Sequence, residues 1–421
     1  MTRLWDKGAP LDERVLAYTA GEDHSLDERL VAYDARASIA HAQMLHDQGL
    51  LTADDCGAIE EGLEALAAAH AQGEWRIELA DEDGQTALEK RLTARIGAAG
   101  GRVHLGRSRN DQVLAALRLY LRDATEELAR GAESVAAALD RLADRQGDLE
   151  LPGYTHMQQA MPSSVALWAG GFAAELRDDA AGLRAVQRRL GKSPLGSAAG
   201  YGTPGLPLDR ESTRAALDFD RVHEPVTAVQ LSRGKAEAQL LFEIALLMQD
   251  LGRFAADVCL FYTREFGFLD LPDEFTTGSS IMPQKRNPDV FELLRGRTAT
   301  AHACLLEALG VFAKLPSGYQ RDLQLLKAPL FRGIDIALAS ATILPPAVDA
   351  MAFRAAAIEL DPAIHAAERA NEIVVREGVP FREAYRRVGA ELAATRGTPL
   401  EGTRGTAGVS LPGAPEGDGE A

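Results

Sequence analysis

Long stretches of helical periodicity constrain the fold of this chain more than any other feature. Apolar residues recur every three or four positions from Leu114 to Leu142 and again from Val165 to Leu190, so each set forms one stripe along a helix. A third helix is predicted over roughly 232–262, where apolar residues occupy most faces, and two more at about 289–312 and 330–352. Long helices with such wide apolar surfaces are typical of a bundle in which each helix packs against several others.

No segment alternates between apolar and polar residues as a half-buried strand does, so the sequence predicts an all-α fold. Only 6% of the residues are aromatic, which also favours helices over sheets. We predict an N-terminal helical domain (1–105), a central domain built as a bundle of long helices (106–355) and a small C-terminal helical domain (356–397). The remaining residues, 398–421, are rich in Gly, Pro and Glu and are predicted to be disordered.

The charge balance and the cysteine spacing narrow the classes of function. The chain has 45 Lys and Arg against 62 Asp and Glu, a net charge of −17, which argues against nucleic acid as a partner. Cys56, Cys259 and Cys304 lie far apart and match no zinc or disulfide pattern, which suits a reducing compartment. No apolar run is long enough for a signal peptide or a membrane span. These observations predict a cytoplasmic protein with no membrane partner.

One segment combines a flexible loop with the start of a helix. Residues 278–289 read Gly-Ser-Ser-Ile-Met-Pro-Gln-Lys-Arg-Asn-Pro-Asp. Asn287 is a good N-cap, Pro288 suits the first helical position, and Asp289 favours the positive end of the helix dipole. A basic residue beside a helix N-terminus, here Lys285, suits a carboxylate ligand. An ordinary capped helix after a polar loop would explain the same residues equally well.

Two further segments place polar side chains next to predicted helices. Residues 104–112 read His-Leu-Gly-Arg-Ser-Arg-Asn-Asp-Gln. Arginine binds carboxylates through two parallel hydrogen bonds, while Asn and Ser bind amides or hydroxyls. Residues 153–162 read Gly-Tyr-Thr-His-Met-Gln-Gln-Ala-Met-Pro and place His156 in a loop before a helix that would begin at Pro162. A lone histidine or arginine pair is more often structural, so these residues by themselves leave the function open.

Taken together, these segments resemble the fumarase/aspartase superfamily, whose members eliminate a group from a four-carbon succinyl unit and release fumarate. Residues 278–289 resemble the superfamily signature, and Arg-Ser-Arg-Asn-Asp-Gln at 107–112 is similar to the motif of the argininosuccinate lyase family within it. Thr-His at 155–156 and Tyr-Gln-Arg-Asp-Leu-Gln-Leu-Leu-Lys at 319–327 resemble further segments of that family. The likeness covers roughly residues 3–390.

The resemblance implies which residues form the active site. The implied catalytic residues are Ser279, His156, Glu292 and Lys285. The implied substrate-binding residues are Ser108, Arg109, Asn110, Thr155, Asn287, Tyr319, Gln324 and Lys327. Ser279 would take a proton from the succinyl carbon and His156, oriented by Glu292, would transfer a proton to the leaving group, although this division into acid and base stays open. No cofactor is implied, and none of the nine histidines shows metal-ligand spacing.

The implied reaction is the reversible elimination of argininosuccinate to L-arginine and fumarate, a step of arginine biosynthesis. The resemblance also implies a homotetramer in which central helices from four chains form one bundle and each active site is shared between chains. Such an assembly would explain why the predicted helices are too apolar for a single chain.

The sequence departs from the family pattern at several positions. Asp23 stands where the family has a serine ligand, Gln85 where it has His, and Leu105 where it usually has Thr. Gln159 and Met161 stand where it has Arg and Gln. These departures leave open another superfamily lyase that releases fumarate from a different succinyl adduct. A non-catalytic, crystallin-like structural protein is the other alternative, although the polar residues expected of an active enzyme are present.

Overall fold

Helices dominate the computed structural model, which describes residues 12–396. Sixteen α-helices lie within this range: α1 (Glu13–Ala20), α2 (Asp23–Leu26), α3 (Val31–Asp47), α4 (Ala53–Ala71), α5 (Gly84–Ile96), α6 (Ala98–Arg102), α7 (Arg109–Gln146), α8 (Val165–Ala185), α9 (Gln187–Leu190), α10 (Arg210–Ala216), α11 (Val226–Leu231), α12 (Lys235–Tyr262), α13 (Asp289–Phe312), α14 (Lys327–Ala350), α15 (Ala366–Glu377) and α16 (Phe381–Arg396). The predicted helical class is confirmed.

Six short strands interrupt the helices and form three two-stranded sheets. The pairs are β1 (Glu150–Thr155) with β2 (Gln158–Ser164), β3 (Lys192–Ser193) with β4 (Arg221–Val222), and β5 (Leu269–Asp270) with β6 (Ala352–Phe353). The prediction that the chain has no strand is therefore wrong in detail. Four of these strands are only two residues long, which is too short for an alternating pattern to be seen in the sequence.

The internal contacts of the chain divide it into two units. Among the described residues, the first contains 12–149 together with Ser164–Ile358, and the second contains Glu150–Ser163 together with 359–396. The division into three domains made from the sequence stays a prediction. The segment predicted to be disordered, 398–421, lies outside the described residues.

The long helices of the first unit bury the predicted apolar stripes. Helix α7 has 38 residues and is therefore about 57 Å long. Leu117, Leu128 and Leu139 of its stripe are fully buried. Helix α14 packs closely on α7 because a Cβ atom at Gly131 would lie only 2.9 Å from the Cβ of Ala341. The 3.6-residue period thus identified the faces that meet inside the bundle.

Helices α12 and α13 run in opposite directions, which fixes where the two ends of α13 lie. At its first end, the ring of Phe291 is 6.2 Å from the ring of Phe254, late in α12. At its last end, Phe312 packs on Gly234, directly before α12, where a Cβ atom would lie 2.3 Å from the Phe312 ring. The 24 residues of α13 separate these two ends by about 36 Å.

A separate apolar core lies under helices α3, α4 and α5 near the start of the first unit. Leu45, Ile59, Leu63 and Leu92 are among its buried residues. Helix α3 carries a second, polar face, which lies against the segment before α7 and is described with the candidate site below.

A β-hairpin begins the second unit. His156 and Met157 have φ angles of 53° and 61° and form the two-residue turn between β1 and β2, as expected for a tight hairpin turn. Strand β2 continues to Ser164, so the helix predicted to begin at Pro162 begins instead at Val165. A proline is tolerated here because both strands of a two-stranded sheet are edge strands.

The rest of the described second unit is a pair of helices, α15 and α16. Their contact buries Ala370, Ala384 and Val388, a small core that partly buried neighbours extend. Helix α15 ends in a left-handed glycine, Gly378, whose N–H donates to the carbonyl of Val374.

One helical stretch in the described part of the chain, Arg321–Ala350, has the length and composition of a membrane span. The most apolar window of this stretch is half buried within the protein. Buried core helices also have this length and composition.

Candidate active site

Three of the predicted substrate-binding residues lie in a capped turn at the start of α7. Ser108 is the N-cap: its Oγ accepts a hydrogen bond from the N–H of Asn110 at 3.3 Å, and the Asp111 carboxylate accepts one from the N–H of Ser108 at 3.0 Å. The other oxygen of Asp111 accepts a bond from the N–H of Ala198 at 2.8 Å. This reciprocal cap fixes the backbone direction of Ser108, Arg109 and Asn110.

A buried polar network beneath this turn was not predicted from the sequence. The guanidinium of Arg107 donates to Ser38 Oγ at 2.8 Å. The Asp34 carboxylate accepts from Gln112 Nε2 at 3.0 and 3.2 Å. His41 Nε2 lies 2.8 Å from the backbone oxygen two residues before Arg107. The polar face of α3 therefore anchors both sides of the turn.

Burial shifts the pKa values of this network. It raises the pKa of Asp34 to about 6, against the opposing charge of Arg107. Burial, followed by the charge of Arg107, lowers the pKa of His41 to about 3, so the ring is neutral at pH 7 and its Nε2–H can donate. Asp34, Ser38 and His41 are spaced four and three residues apart. That spacing places the three polar side chains on one face of α3 and is the signal that could have revealed the network.

Arg109 already has a carboxylate partner within its own chain. Its Nη1 donates to Asp83 Oδ2 at 3.0 Å, and Glu82 lies 3.9 Å away. Gln85, the residue that replaces the family histidine, is 4% exposed and its Nε2 has no hydrogen-bond partner among the described residues. This part of the turn is acidic and enclosed.

Lys327 is buried between two carboxylates at the start of α14. Its Nζ lies 2.6 Å from Asp27 Oδ1 and 2.8 Å from Asp23 Oδ1, and the residue is 3% exposed. Burial opposes the charge of Lys327, but the two carboxylates outweigh it and raise the pKa of the ammonium. Burial raises the pKa of Asp23, and the neighbouring Asp27 and Asp83 add to the rise. Asp23 is therefore a second acidic group where the family has a serine.

Tyr319 and Gln324 precede Lys327 in the chain, and each has its own surroundings. The Arg233 guanidinium carbon is 6.0 Å from the centre of the Tyr319 ring, and burial raises the pKa of the phenol although Arg233 opposes it. Gln324 lines an open recess of about 400 Å³ together with Asp23 and Arg321. The structure brings these predicted residues to one region: Arg109 binds Asp83, and the N–H of the next residue, Gly84, donates at 3.0 Å to the Asp27 carboxylate that holds Lys327.

The predicted signature loop, residues 278–289, is held by a short backbone bridge and by an ion pair of Arg286 with Asp273 at 2.6 Å. The N–H of Thr277 donates to the oxygen of Asn287 at 3.0 Å, and the N–H of Asn287 returns a bond to Thr277 at 2.8 Å. The Asn287 amide donates to the oxygen of Gly278 and to Thr277 Oγ1. Asn287 is therefore not the N-cap that the sequence predicted, because α13 begins at Asp289 with Pro288 before it.

Ser279 lies inside this loop, and its Oγ faces backbone donors. The N–H groups of Met282 and Ile281 donate to it at 3.2 and 3.4 Å. Lys285 follows in the same loop and is exposed, and Glu292 is exposed on the first turn of α13. Two N–H groups that point at a serine oxygen stabilise negative charge on it, as a serine base requires.

The second unit carries Thr155 and His156 on its exposed hairpin turn. Gln159, one of the residues that departs from the family, links the hairpin to the segment before α15. Its side-chain amide donates to the backbone oxygen of Glu359 at 3.0 Å and accepts from the N–H of Asp361 at 2.8 Å. His156 and Glu292 belong to different units, and their pairing stays a prediction.

Two groups of predicted residues in the first unit lie at opposite ends of α13. Ser279, Lys285 and Asn287 precede it, whereas Tyr319 and Lys327 follow it. About 36 Å of helix separates the two groups, so one chain does not bring them together.

Comparison with known proteins identifies the family. A lyase family profile matches residues 11–302. The argininosuccinate lyase of Sorangium cellulosum is 49% identical over 394 residues, which cover 93% of this chain and 91% of that protein. The argininosuccinate lyase of Thermotoga neapolitana is 40% identical over 388 residues, covering 92% and 97%. The chain belongs to the argininosuccinate lyase family. This confirms the resemblance drawn from the motifs and makes the protein a lyase.

Solved structures of two other lyases share the fold. A crystal structure of EDDS lyase in complex with formate aligns with a TM-score of 0.79 at 26% identity, covering 93% of this chain and 78% of that one. A class II fumarase from Schistosoma mansoni aligns with a TM-score of 0.75 at 17% identity, covering 90% and 88%. The fold of this chain is thus shared with EDDS lyase and with a class II fumarase.

Proposed function

We propose that this protein catalyses the reversible elimination of argininosuccinate to L-arginine and fumarate, in arginine biosynthesis. The observation that carries the proposal is near full-length similarity, 49% identity over 93% of the chain, to a protein named argininosuccinate lyase. The retained Ser279 loop and the capped turn of Ser108, Arg109 and Asn110 support it, because both segments match that family in sequence and are ordered locally by hydrogen bonds.

The proposed reaction begins with removal of a proton from the carbon next to a succinyl carboxylate. Ser279 is the proposed base, and the N–H groups of Ile281 and Met282 stabilise its alkoxide. Loss of the proton leaves a dianionic aci-carboxylate. Lys285 supplies positive charge next to that carboxylate, where charge develops in the transition state.

The elimination is completed when the carbon–nitrogen bond breaks. Its electron pair goes to the guanidino nitrogen, the carbon chain becomes fumarate, and the nitrogen takes a proton. His156 is the proposed acid, acting directly or through water, and Glu292 would fix its tautomer and orientation. The proton removed by Ser279 and the proton given by His156 balance, so the products are L-arginine, with its guanidinium protonated, and fumarate, and no oxidant or cofactor is consumed.

We also propose that the active protein is a homotetramer whose sites are shared between chains. The length of α13 supports this: its 24 residues span about 36 Å, so a site that needs both Ser279 and Tyr319 requires a second chain. Large apolar side chains are also left exposed on the bundle: Phe242 and Leu246 on α12 and Leu293 and Leu306 on α13, at 42–72% exposure.

We propose a cytoplasmic location for this assembly. The three cysteines are free, and Cys56 and Cys304 are buried. This supports a reducing compartment.

The activity is tested by ultraviolet absorbance of fumarate after purified protein is mixed with argininosuccinate. Release of fumarate and arginine in equal amounts supports the proposal. Folded protein that releases neither product overturns it, and other succinyl adducts would then be assayed.

Shared sites are tested by mixing two inactive variants after mild denaturation and reassembly. Ser279→Ala and Arg109→Met change opposite ends of α13, so about a quarter of the sites in mixed oligomers would combine two intact halves and regain activity. A mixture of Arg109→Met with Tyr319→Phe, both at one end, is the control and stays inactive. Light scattering would give four times 45.1 kDa for the assembly. No regained activity, or a monomer, contradicts this proposal.

A second candidate is a lyase for a different succinyl adduct. The observation that favours it is Asp23, which brings a second carboxylate to Lys327 where the family has serine. Comparing turnover of argininosuccinate with that of other N-substituted aspartates would separate the two candidates.

A further inference from the structure

The turn between α11 and α12 contains a buried arginine with two unpaired nitrogens. Arg233 is 5% exposed, and its Nε and Nη1 atoms are both buried and make no hydrogen bond within residues 12–396. Gln230, one turn earlier, is 3% exposed, and both atoms of its amide are also buried without a partner. An unpaired buried arginine is costly, because its charge loses water and gains nothing in return. These two side chains are therefore expected to form hydrogen bonds with a bound ligand.

Arg233 faces Tyr319, and Gln230 faces the loop before α10, whose Ala198 N–H binds Asp111 at the capped turn. The guanidinium of Arg233 lies 6.0 Å from the centre of the Tyr319 ring. Gln230 packs on the loop before α10, because a Cβ atom at Gly200 would lie 2.8 Å from Gln230 Cγ. The same loop approaches the chain next to Tyr319, since a Cβ atom at Gly318 would lie 3.2 Å from Tyr201 Oη. Arg233 is thus part of the wall around Tyr319.

The other cations near Tyr319 are already engaged. Lys327 is paired with Asp23 and Asp27, and Arg321 donates to the backbone oxygen of Thr19 at 2.7 Å. In the described part of the chain, Arg233 is the cation of this group that keeps two buried nitrogens free. A carboxylate matches the planar guanidinium and would accept from both nitrogens.

The amino-acid end of argininosuccinate carries both a carboxylate and an ammonium group. This end lies far from the bond that breaks, so it need not approach the Ser279 loop. The region around Tyr319 offers an anion a buried arginine with two unpaired nitrogens. The succinyl carboxylates, in contrast, would be met by Lys285 at the other end of α13.

We propose that Arg233, with Gln230 beside it, binds the α-carboxylate of the amino-acid portion of the substrate. This assignment rests on the proposed function. It makes Arg233 a specificity-determining residue, and it predicts that the protein distinguishes ligands that differ only in this carboxylate.

The test compares binding of L-arginine with binding of agmatine, which is arginine without its carboxylate, by calorimetry on the full chain. The wild type should prefer arginine by about 10- to 100-fold, the value of a charge-assisted pair. Arg233→Met should reduce this preference to near one, Arg233→Lys should leave an intermediate value, and inhibition by fumarate should stay unchanged in both.

Arg118→Met is the matched control. Arg118 is also buried, at 3% exposure, but its guanidinium donates to Ser232 Oγ at 2.9 Å and to the oxygen of Lys192. Its loss should lower stability and leave the preference for arginine over agmatine intact. If Arg233→Met does not fold, the affinities for arginine and agmatine are compared in Arg233→Lys and Gln230→Leu instead.

Two results would overturn the assignment: a wild type that binds arginine and agmatine equally, or Arg233 variants that keep the wild-type ratio even if both affinities fall. Failure of the proposed function is seen separately, as absence of argininosuccinate cleavage by the wild type. Binding by calorimetry needs no turnover, so the two failures remain distinguishable.

Discussion

The two ends of helix α13 carry candidate active-site residues in opposite physical settings. Beyond its last residue, Lys327 is 3% exposed and bonded to two carboxylates. Before its first residue, Lys285 is exposed, and the Ser279 hydroxyl is bonded only to the backbone of its own loop. One end is built into the core of the chain, and the other is a surface loop held by the bridge between Thr277 and Asn287 and by an exposed ion pair of Arg286 with Asp273.

This difference separates residues that hold the site together from residues that do the chemistry. A buried ion cluster is rigid, but each member is needed for stability because removing one leaves an unpaired charge. Residues of an exposed loop can be substituted at little cost to folding stability. The reactive groups of such a loop are shielded from water only when another chain or the substrate covers them. The two ends should therefore respond differently to the same kind of substitution.

The largest expected effect on activity is that of Ser279→Ala. Turnover of argininosuccinate should fall about 10²- to 10⁴-fold, because the proposed base is removed. The free energy of unfolding should change by less than about 0.5 kcal/mol, because the residue lies in a surface loop. Fumarate release and urea denaturation would measure the two effects. Ser280→Ala, the same substitution in the next exposed residue, is the control and should keep both values. A large loss of stability in Ser279→Ala would remove the contrast between the two ends.

The largest expected effect on stability is that of Lys327→Met. Removing the ammonium leaves Asp23 and Asp27 buried together without a counter-ion, which should cost about 3–5 kcal/mol. Lys285→Met, at the exposed end, should cost less than about 0.5 kcal/mol. Urea denaturation of both variants at one protein concentration gives the comparison. Equal costs would show that burial does not distinguish the two lysines.

Much of the bundle could be predicted because its helices are long enough to repeat the 3.6-residue period many times. Helix α13 begins and ends where predicted, and α12 begins three residues later than predicted. The β1–β2 hairpin could not be predicted in the same way. Its strands contain Pro152, Gly153 and Pro162, and its turn residues, His156 and Met157, are not the Asn and Gly that mark such turns.

The residues of the candidate site also fall into those that the sequence revealed and those that it did not. Contiguous segments such as 107–112 and 278–289 were recognisable, because their residues are neighbours in the sequence. The network of Asp34, His41 and Arg107 was missed, since its hydrogen bonds join positions 64 to 78 residues apart. Periodicity within one helix does not say which loop its polar face will meet.

A pH titration of stability would probe the buried end without changing its charges by mutation. The pKa of His41 is about 3 in the folded protein against 6.5 for a free histidine, so the unfolded chain binds the extra proton between these pH values. Stability from this group is therefore complete above pH 6.5 and is lost as the pH falls, by about 2 kcal/mol between pH 7 and pH 5.

The effect of His41 must be separated from that of Asp34 and Asp111, whose raised pKa values of about 6 act in the opposite direction over part of this range. The difference between the wild type and His41→Gln isolates it, because both proteins keep the two carboxyl groups. The two carboxyl groups gain more stability between pH 7 and pH 5 than the imidazole loses, so urea denaturation should show both proteins gaining stability on acidification, with the wild type gaining about 2 kcal/mol less than the variant. Parallel curves for the two proteins would contradict the assignment of a neutral, buried imidazole.

The smallest expected effect compares one serine at each end. Ser108→Ala should cost about 1 kcal/mol, because Oγ caps the first turn of a 38-residue helix by accepting from Asn110 N–H. Ser108→Thr should restore most of that loss. Ser279 Oγ also accepts two backbone N–H groups, but they belong to an exposed loop where water can replace it. A cost for Ser108→Ala no greater than that for Ser279→Ala would mean that the half-buried turn is ordered by the network of Asp34 and Arg107 below it, and not by its own cap.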